Sequence, residues 1–234
     1  ISYAVKDDGL IYEGTKEVLR IADKYYSNLF KEELVDINLQ DEILRKTKKR
    51  INTRNNEQME SPLTIVELES ALRSLPNGKS PGLDGLPKEF YLTFWPEIKE
   101  IFLKLTNEIF LTESLAKGQE TASVKILFKK TDRYDLKYYR PISLLNTDLK
   151  IITKCLATRL SKVLASLINE NQTCIPGRNI SNNIHTILDV IKIANRKNLE
   201  AAILMLDQEK AFDRVNHKFL MKTLSHFGFG PNFK

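Results

Sequence analysis

The sequence predicts an α+β fold preceded by a mainly helical N-terminal extension. Three observations predict it. Apolar residues recur at three- and four-residue steps through most of the 234 residues. Two short runs, 124–128 and 201–206, read as strands instead. Proline and glycine gather at a few punctuation points rather than throughout. The composition narrows the class further. With 42% hydrophobic and 9% aromatic residues the chain can bury a core, and nine glycines with eight prolines are too few for a collagen-like or low-complexity chain. No apolar run approaches the ~18 residues of a membrane span. The first residues, Ile1-Ser-Tyr-Ala-Val-Lys, lack an initiating Met and the order of a signal peptide, so an internal piece of a longer chain is expected. Two cysteines, Cys155 and Cys174, make neither a disulfide framework nor a metal cluster, which sets the expectation of a reducing intracellular compartment, nucleus or cytoplasm.

Residues 1–60 are expected to be a helical extension and linker. Thr15 is placed to cap a helix whose stripe is Val18, Leu19, Ala22, Tyr25, Tyr26, Leu29 and Phe30, while 46–58 is polar and without period. A second region, 61–234, begins at Ser61-Pro62. There Thr64 and Glu67 have the spacing of a capping box in front of Val66, Leu68, Leu72 and Leu75. That helix ends at Pro76-Asn77-Gly78, and a turn-rich loop follows. One long helix is expected through Phe90, Phe94, Ile98, Phe102, Leu105 and Ile109, then the strand at 124–128 and a helix over 148–167. The apolar run 201–206 reads as a buried strand ending in an acid.

Charge is concentrated in one stretch. Between Lys117 and Lys162 stand eleven basic residues against four acidic ones, a net of +7 in a chain of net +6. Tyr134, Tyr138 and Tyr139 lie within it, which suits a polyanion surface offering cations for phosphates and rings for bases or sugars. A solvated, lysine-rich helix face is the plainer alternative. The chemistry-bearing segment is Leu204-Met-Leu-Asp-Gln-Glu-Lys-Ala-Phe-Asp213. A strand delivering Asp207 at its end offers hard oxygens to a cation such as Mg²⁺. Helix capping by Asp207 is the structural alternative, and the residues alone leave both open. Phe212 would by default be a core aromatic. His185, His217 and His226 are scattered, without triad or metal spacing.

Asp-x-x-x-Ala-Phe-Asp at 207–213 resembles the first catalytic block of reverse transcriptases. Three upstream blocks resemble the non-LTR, LINE-type retrotransposon branch of that family. They are Gly78-Lys-Ser-Pro-Gly-Leu-Asp-Gly85; Tyr139-Arg-Pro-Ile-Ser-Leu-Leu-Asn146 with Lys150-Ile-Ile-Thr-Lys-Cys-Leu-Ala-Thr-Arg-Leu160; and Gln172-Thr-Cys-Ile-Pro-Gly-Arg-Asn-Ile180. The resemblance implies an RNA-directed DNA polymerase segment: the fingers and the beginning of a right-hand palm over 61–234, truncated before the Asp-Asp hairpin that carries the family's second metal-binding carboxylate. It implies Mg²⁺, or Mn²⁺ in its place, an RNA template, a DNA primer and a dNTP. Asp207 would bind metal. The amides of Gln208 and Glu209, with Arg140 and Lys129, would meet the triphosphate, a task for which a planar guanidinium is well shaped. Phe212 would lie under the sugar as the gate against a 2′-hydroxyl. Lys79, Gly82 and Arg178 would hold the template.

The sequence also departs from that pattern. Leu127-Phe128-Lys129-Lys130-Thr131 stands where an aliphatic-Pro-Lys-x-Gly turn is usual, and Cys174-Ile175 where Gly-Phe is usual. One metal-binding carboxylate cannot hold two divalent ions, so the chain alone is expected not to polymerise DNA. The alternative reading is a catalytically inactive, truncated or co-opted remnant that binds RNA through its basic fingers.

Overall fold

The computed structural model describes residues 4–173 and 175–234; Cys174 therefore lies outside the described residues. In chain order the described elements are β1 (Ala4–Asp7), β2 (Leu10–Glu13), α1 (Thr15–Leu29), α2 (Ile37–Lys46), α3 (Thr53–Glu60), α4 (Ile65–Ser74), α5 (Lys88–Thr93), α6 (Trp95–Thr112), β3 (Ser123–Phe128), β4 (Tyr139–Leu144), α7 (Thr147–Leu167), α8 (Ile180–Arg196) and α9 (His217–Phe227). The fold is mixed helix and strand with helix predominating. It divides into two compact units. One takes the chain up to Leu34 together with Ser61–Leu156, and the other takes Val35–Glu60 with Ala157–Lys234. A seam thus falls between residues 60 and 61, and further seams fall at 34/35 and 156/157.

In the first unit the extension does not begin as a helix. β1 and β2 pair antiparallel across Asp8-Gly9, whose φ values of 49° and 85° are both positive, as the tight hairpin turn requires. Asp8-Gly9 is the local signal for this turn, inside an extension that the helical stripe from Val18 onward leads one to expect as mainly helical. The N-cap of α1 is Gly14, and Thr15 is already its first helical residue. Val5 from β1 and Val18 and Ile21 from α1 bury themselves against Leu136 and Tyr139. The amide of Lys6 donates to the Tyr134 carbonyl at 2.6 Å, tying the same two segments together.

A second core of this unit packs α4, α5 and α6 on the start of α7. Leu68, Leu72 and Ile151 are fully buried there, beside Tyr91, Trp95 and Phe102. The Thr64 and Glu67 capping box is formed, with the Glu67 amide donating to Thr64 Oγ1 at 3.2 Å and the Thr64 amide to Glu67 Oε2 at 3.0 Å. The single long helix expected over 90–109 is two helices. Pro96, lacking an amide hydrogen, sits in the first turn of α6, and the chain breaks at Phe94 just before it. Cys155 is buried, its Sγ donating to the Glu67 carbonyl at 3.3 Å.

The second unit is built on Met59, Val163, Leu167 and Phe229. Within the polar stretch 46–58, where a loop is expected, the chain begins α3 because Asn52 caps it, accepting from the Asn55 amide at 2.8 Å. The amide of Ile51 donates to the Phe227 carbonyl at 2.8 Å. Glu60, closing α3, accepts the amides of Asn232 and Phe233 at 3.0 Å each. By contrast α8 has no buried residue, and Ile184, Ile187, Leu188 and Ile191 along it are exposed.

Candidate functional site

The β3–β4 hairpin sets the geometry of the basic segment. Its antiparallel register pairs Lys125 with Ile142, Ile126 with Pro141, Leu127 with Arg140 and Phe128 with Tyr139. The amide of Lys129 donates to the Tyr138 carbonyl at 2.9 Å, so pairing runs one step beyond the strands. Side chains alternate across a strand, so two faces follow. One carries Ile126 and Tyr139, which pack on the core shared with α1. The other carries Lys125, Leu127 and Lys129 opposite Tyr138, Arg140 and Ile142, and its three cations are exposed. None of the three has an ion pair among the described residues, whereas neighbouring Lys137 is held by Asp135 at 2.7 Å and Arg133 lies over the Phe128 ring. Arg140 and Lys129, predicted to meet a triphosphate, thus stand on one exposed cationic face. Lys125 and Tyr138, both in the basic, tyrosine-bearing stretch expected to meet a polyanion, share it; Pro141 lies in β4 and is tolerated because β4 is an edge.

The turn of this hairpin takes a specific form where proline and glycine are absent. Thr131 stands at φ 78°, the left-handed region, in the position where the resemblance leads one to look for glycine.

The opening loop, in the same unit, is pinned rather than loose. A Cβ on Gly82 would fall 2.1 Å from Asn146 Oδ1 and 2.5 Å from the Asn146 amide, so only glycine permits this approach. Around it Lys150 Nζ donates to the Ser80 carbonyl at 3.2 Å and Thr147 Oγ1 to the Leu86 carbonyl at 2.7 Å. The Gly78 amide donates to Glu89 at 2.9 Å, and that bond holds the Glu89 carboxyl below the usual range. Lys79 is exposed at the loop's surface.

The other predicted residues lie in the second unit. Arg178 turns its guanidinium onto the end of α7, donating to the carbonyls of Ala165 and Gln172 at 3.0 Å each and to those of Ile168 and Asn169. That is a helix-end clamp on the orphan carbonyls of a last turn. The run 201–206 is not the buried strand expected. It joins no sheet, and Leu204, Met205 and Leu206 are exposed. An apolar run becomes a strand only when another strand takes up its amides and carbonyls, and the described sheets offer it no edge. Asp207, Gln208 and Glu209 follow on this exposed backbone, and residues 209–214 form turns rather than a helix, the Asp213 amide donating to the Lys210 carbonyl at 2.9 Å. Asp207 therefore caps no helix among the described residues, and Phe212, 98% exposed, is no core residue. Among the described residues no three His, Cys, Asp or Glu side chains gather at metal-binding distance, so these residues by themselves do not fit a two-metal site. No helix among the described residues is long and apolar enough to cross a membrane.

Residues 128–233 match the family described as reverse transcriptase (RNA-dependent DNA polymerase). The chain is 39% identical over 228 residues, 97% of its length, to the transposon TX1 uncharacterized 149 kDa protein of Xenopus laevis. It is 28% identical over 175 residues, 73% of its length, to a retrovirus-related Pol polyprotein from the type-1 retrotransposable element R2 of Bradysia coprophila. It is 27% identical over 168 residues, 70% of its length, to a probable RNA-directed DNA polymerase from transposon BS of Drosophila melanogaster. The aligned stretches span 17%, 19% and 18% of those three proteins.

Proposed function

We propose that this chain carries a reverse transcriptase segment of the non-LTR, LINE-type kind and forms the fingers and the beginning of the palm of an RNA-directed DNA polymerase. In this reading the polymerase copies an RNA template onto a DNA primer, moving a nucleotide from a dNTP to the primer 3′-hydroxyl. The observation that carries it is the matched stretch 128–233, which holds both the strand bearing Arg140 and the block from Asp207 to Phe212.

Each residue has a chemical reason for its task. Arg140 is exposed and forms no ion pair among the described residues, on a hairpin whose opposite face is anchored in a core, so its planar fork can grip a triphosphate. Lys129 lies on the same face. Asp207 would offer one carboxylate to Mg²⁺, or Mn²⁺ in its place, and the amides of Gln208 and Glu209 would meet the triphosphate. Phe212, apolar and exposed, is suited to lie under a sugar, where a 2′-hydroxyl would lose water and gain no partner. Lys79 offers the template a cation from the pinned opening loop. Gly82 and Arg178 serve the template indirectly, through the loop packing and the helix end that they hold.

The test uses the complete polymerase. Asp207→Ala should abolish primer extension on an RNA template while leaving RNA binding nearly intact, and unchanged extension would remove Asp207 from the site. Phe212→Val should admit ribonucleotides. An unaltered preference for dNTP over rNTP in single-nucleotide insertion would refute the gate.

A further inference from the structure

We propose that Lys125 is a nucleic-acid contact: on the exposed face of the β3–β4 hairpin it holds a backbone phosphate of the RNA strand beside the nucleotide subsite. The inference rests on the reading of this chain as a polymerase segment and goes beyond it, because it assigns a second anion position to the hairpin.

The register supplies the argument. Lys125, Leu127 and Lys129 alternate onto the face that also bears Arg140, whose cross-strand partner is Leu127. A strand advances about 3.3 Å per residue, so Lys125 and Lys129 start about 13 Å apart along β3, with Arg140 opposite the midpoint. A triphosphate is only a few ångströms long. Arg140 and Lys129, about 7 Å apart along the strand, can share one, and Lys125 then lies on the far side, away from the hairpin turn. A nucleic-acid strand carries a charge at every nucleotide, and it is the polyanion long enough to meet Lys125 while a triphosphate occupies the other two.

The chemistry of the face agrees. Lys125 has no ion pair among the described residues, although acids and rings within a few residues engage Lys137 and Arg133. Its cross-strand partner Ile142 and its strand neighbour Leu127 are exposed, at 41% and 55%. They give a flat apolar patch between the cations, against which a sugar or base edge can rest while the phosphate meets the ammonium. The opposite face cannot compete for this role, since Ile126 and Tyr139 are packed on the core with Val18 and Ile21.

The experiment measures binding of a fluorescently labelled 12-nucleotide single-stranded RNA to the 234-residue chain at a series of KCl concentrations. Neutralising one phosphate contact on a single strand changes the slope of log K against log salt by about 0.7. Lys125→Ala should flatten the slope by about that amount and weaken binding several-fold at low salt, with Lys125→Arg restoring both. Lys104→Ala, removing an exposed lysine on α6, should leave the slope unchanged. Tripolyphosphate binding, read directly by calorimetry, should weaken in Arg140→Ala and stay unchanged in Lys125→Ala. Wild-type affinity and slope in Lys125→Ala, or an equal loss in Lys104→Ala, would overturn the assignment while leaving the polymerase reading in place. Failure of the wild-type chain to bind the RNA at any salt would overturn both.

Discussion

Two single positions carry the local cost of the arrangement around the hairpin and its neighbouring loop. Thr131 holds a β-branched side chain at φ 78°, where the Cβ crowds its own backbone. Thr131→Gly removes that crowding but frees the unfolded chain, so the two effects partly offset. The strain is the larger, and the variant should be more stable by about 1 kcal/mol in denaturant titration. An unchanged or lower midpoint would mean that the turn is held without strain. Gly82 is the reverse case. A methyl group there meets Asn146 side chain and backbone at 2.1–2.7 Å, and backbone does not swing aside as a long side chain would. Gly82→Ala should cost about 1–3 kcal/mol and loosen the loop carrying Lys79, readable as faster exchange of the Gly85 amide, which donates to the Gly82 carbonyl. That the loop is a turn was plain from its prolines and glycines. That Gly82 is needed for a contact 64 residues away was not, since close approach leaves no mark on local sequence.

At the scale of elements, the signals that sit inside one element were legible and those that depend on a partner were not. The capping box at Thr64 and Glu67, the strand at 124–128 and the helix at 147–167 each follow from residues a few positions apart. The run at 201–206 has the composition of a strand, yet it pairs with nothing among the described residues and stays exposed. β4 was hidden by Pro141 and β1–β2 by the helical stripe that follows them. The hairpin that bears Arg140 in turn depends on an element that looked separable. Ile21 and Val18 of α1 fill the underside of Tyr139, the residue next to Arg140. Ile21→Ala should therefore cost about 2–5 kcal/mol by leaving a cavity beneath β4, measured by denaturant unfolding. In the complete polymerase it should also raise the apparent KM for dNTP, since a hairpin without its support no longer presents Arg140 in one orientation. Loss of stability with an unchanged KM would show that α1 supports the fold and not the nucleotide.

For the molecule as a whole, exposure is distributed unevenly. The cores hold Leu68, Leu72, Ile151 and Phe102 almost wholly out of water, while residues 30–36 and 199–212 carry large apolar side chains on backbone that belongs to no helix or strand. Leu34 is fully exposed, Met205 is 89% and Phe212 98% exposed. A protease needs extended chain in its cleft, so cleavage reports local opening, and segments already outside regular structure need almost none. Brief treatment with chymotrypsin, which cuts after aromatic and large aliphatic residues, should therefore act first at Phe30 or Leu34 and within 203–212. Sites inside α4 and α6 are equally good by residue type, but reaching them requires the core around Trp95 and Tyr91 to open. Mass spectrometry of the earliest products should show fragments ending in those two windows, with 65–74 and 95–112 uncut. Early cleavage within 65–74 or 95–112 would mean that the first unit lacks the core described for it. The first window lies at the seam between Leu34 and Val35, and the second contains Asp207 and Phe212. The backbone bearing the proposed catalytic block is therefore expected to be among the most accessible stretches of this chain, and a complementary strand that paired with 201–206 should slow its cleavage before that of the other window.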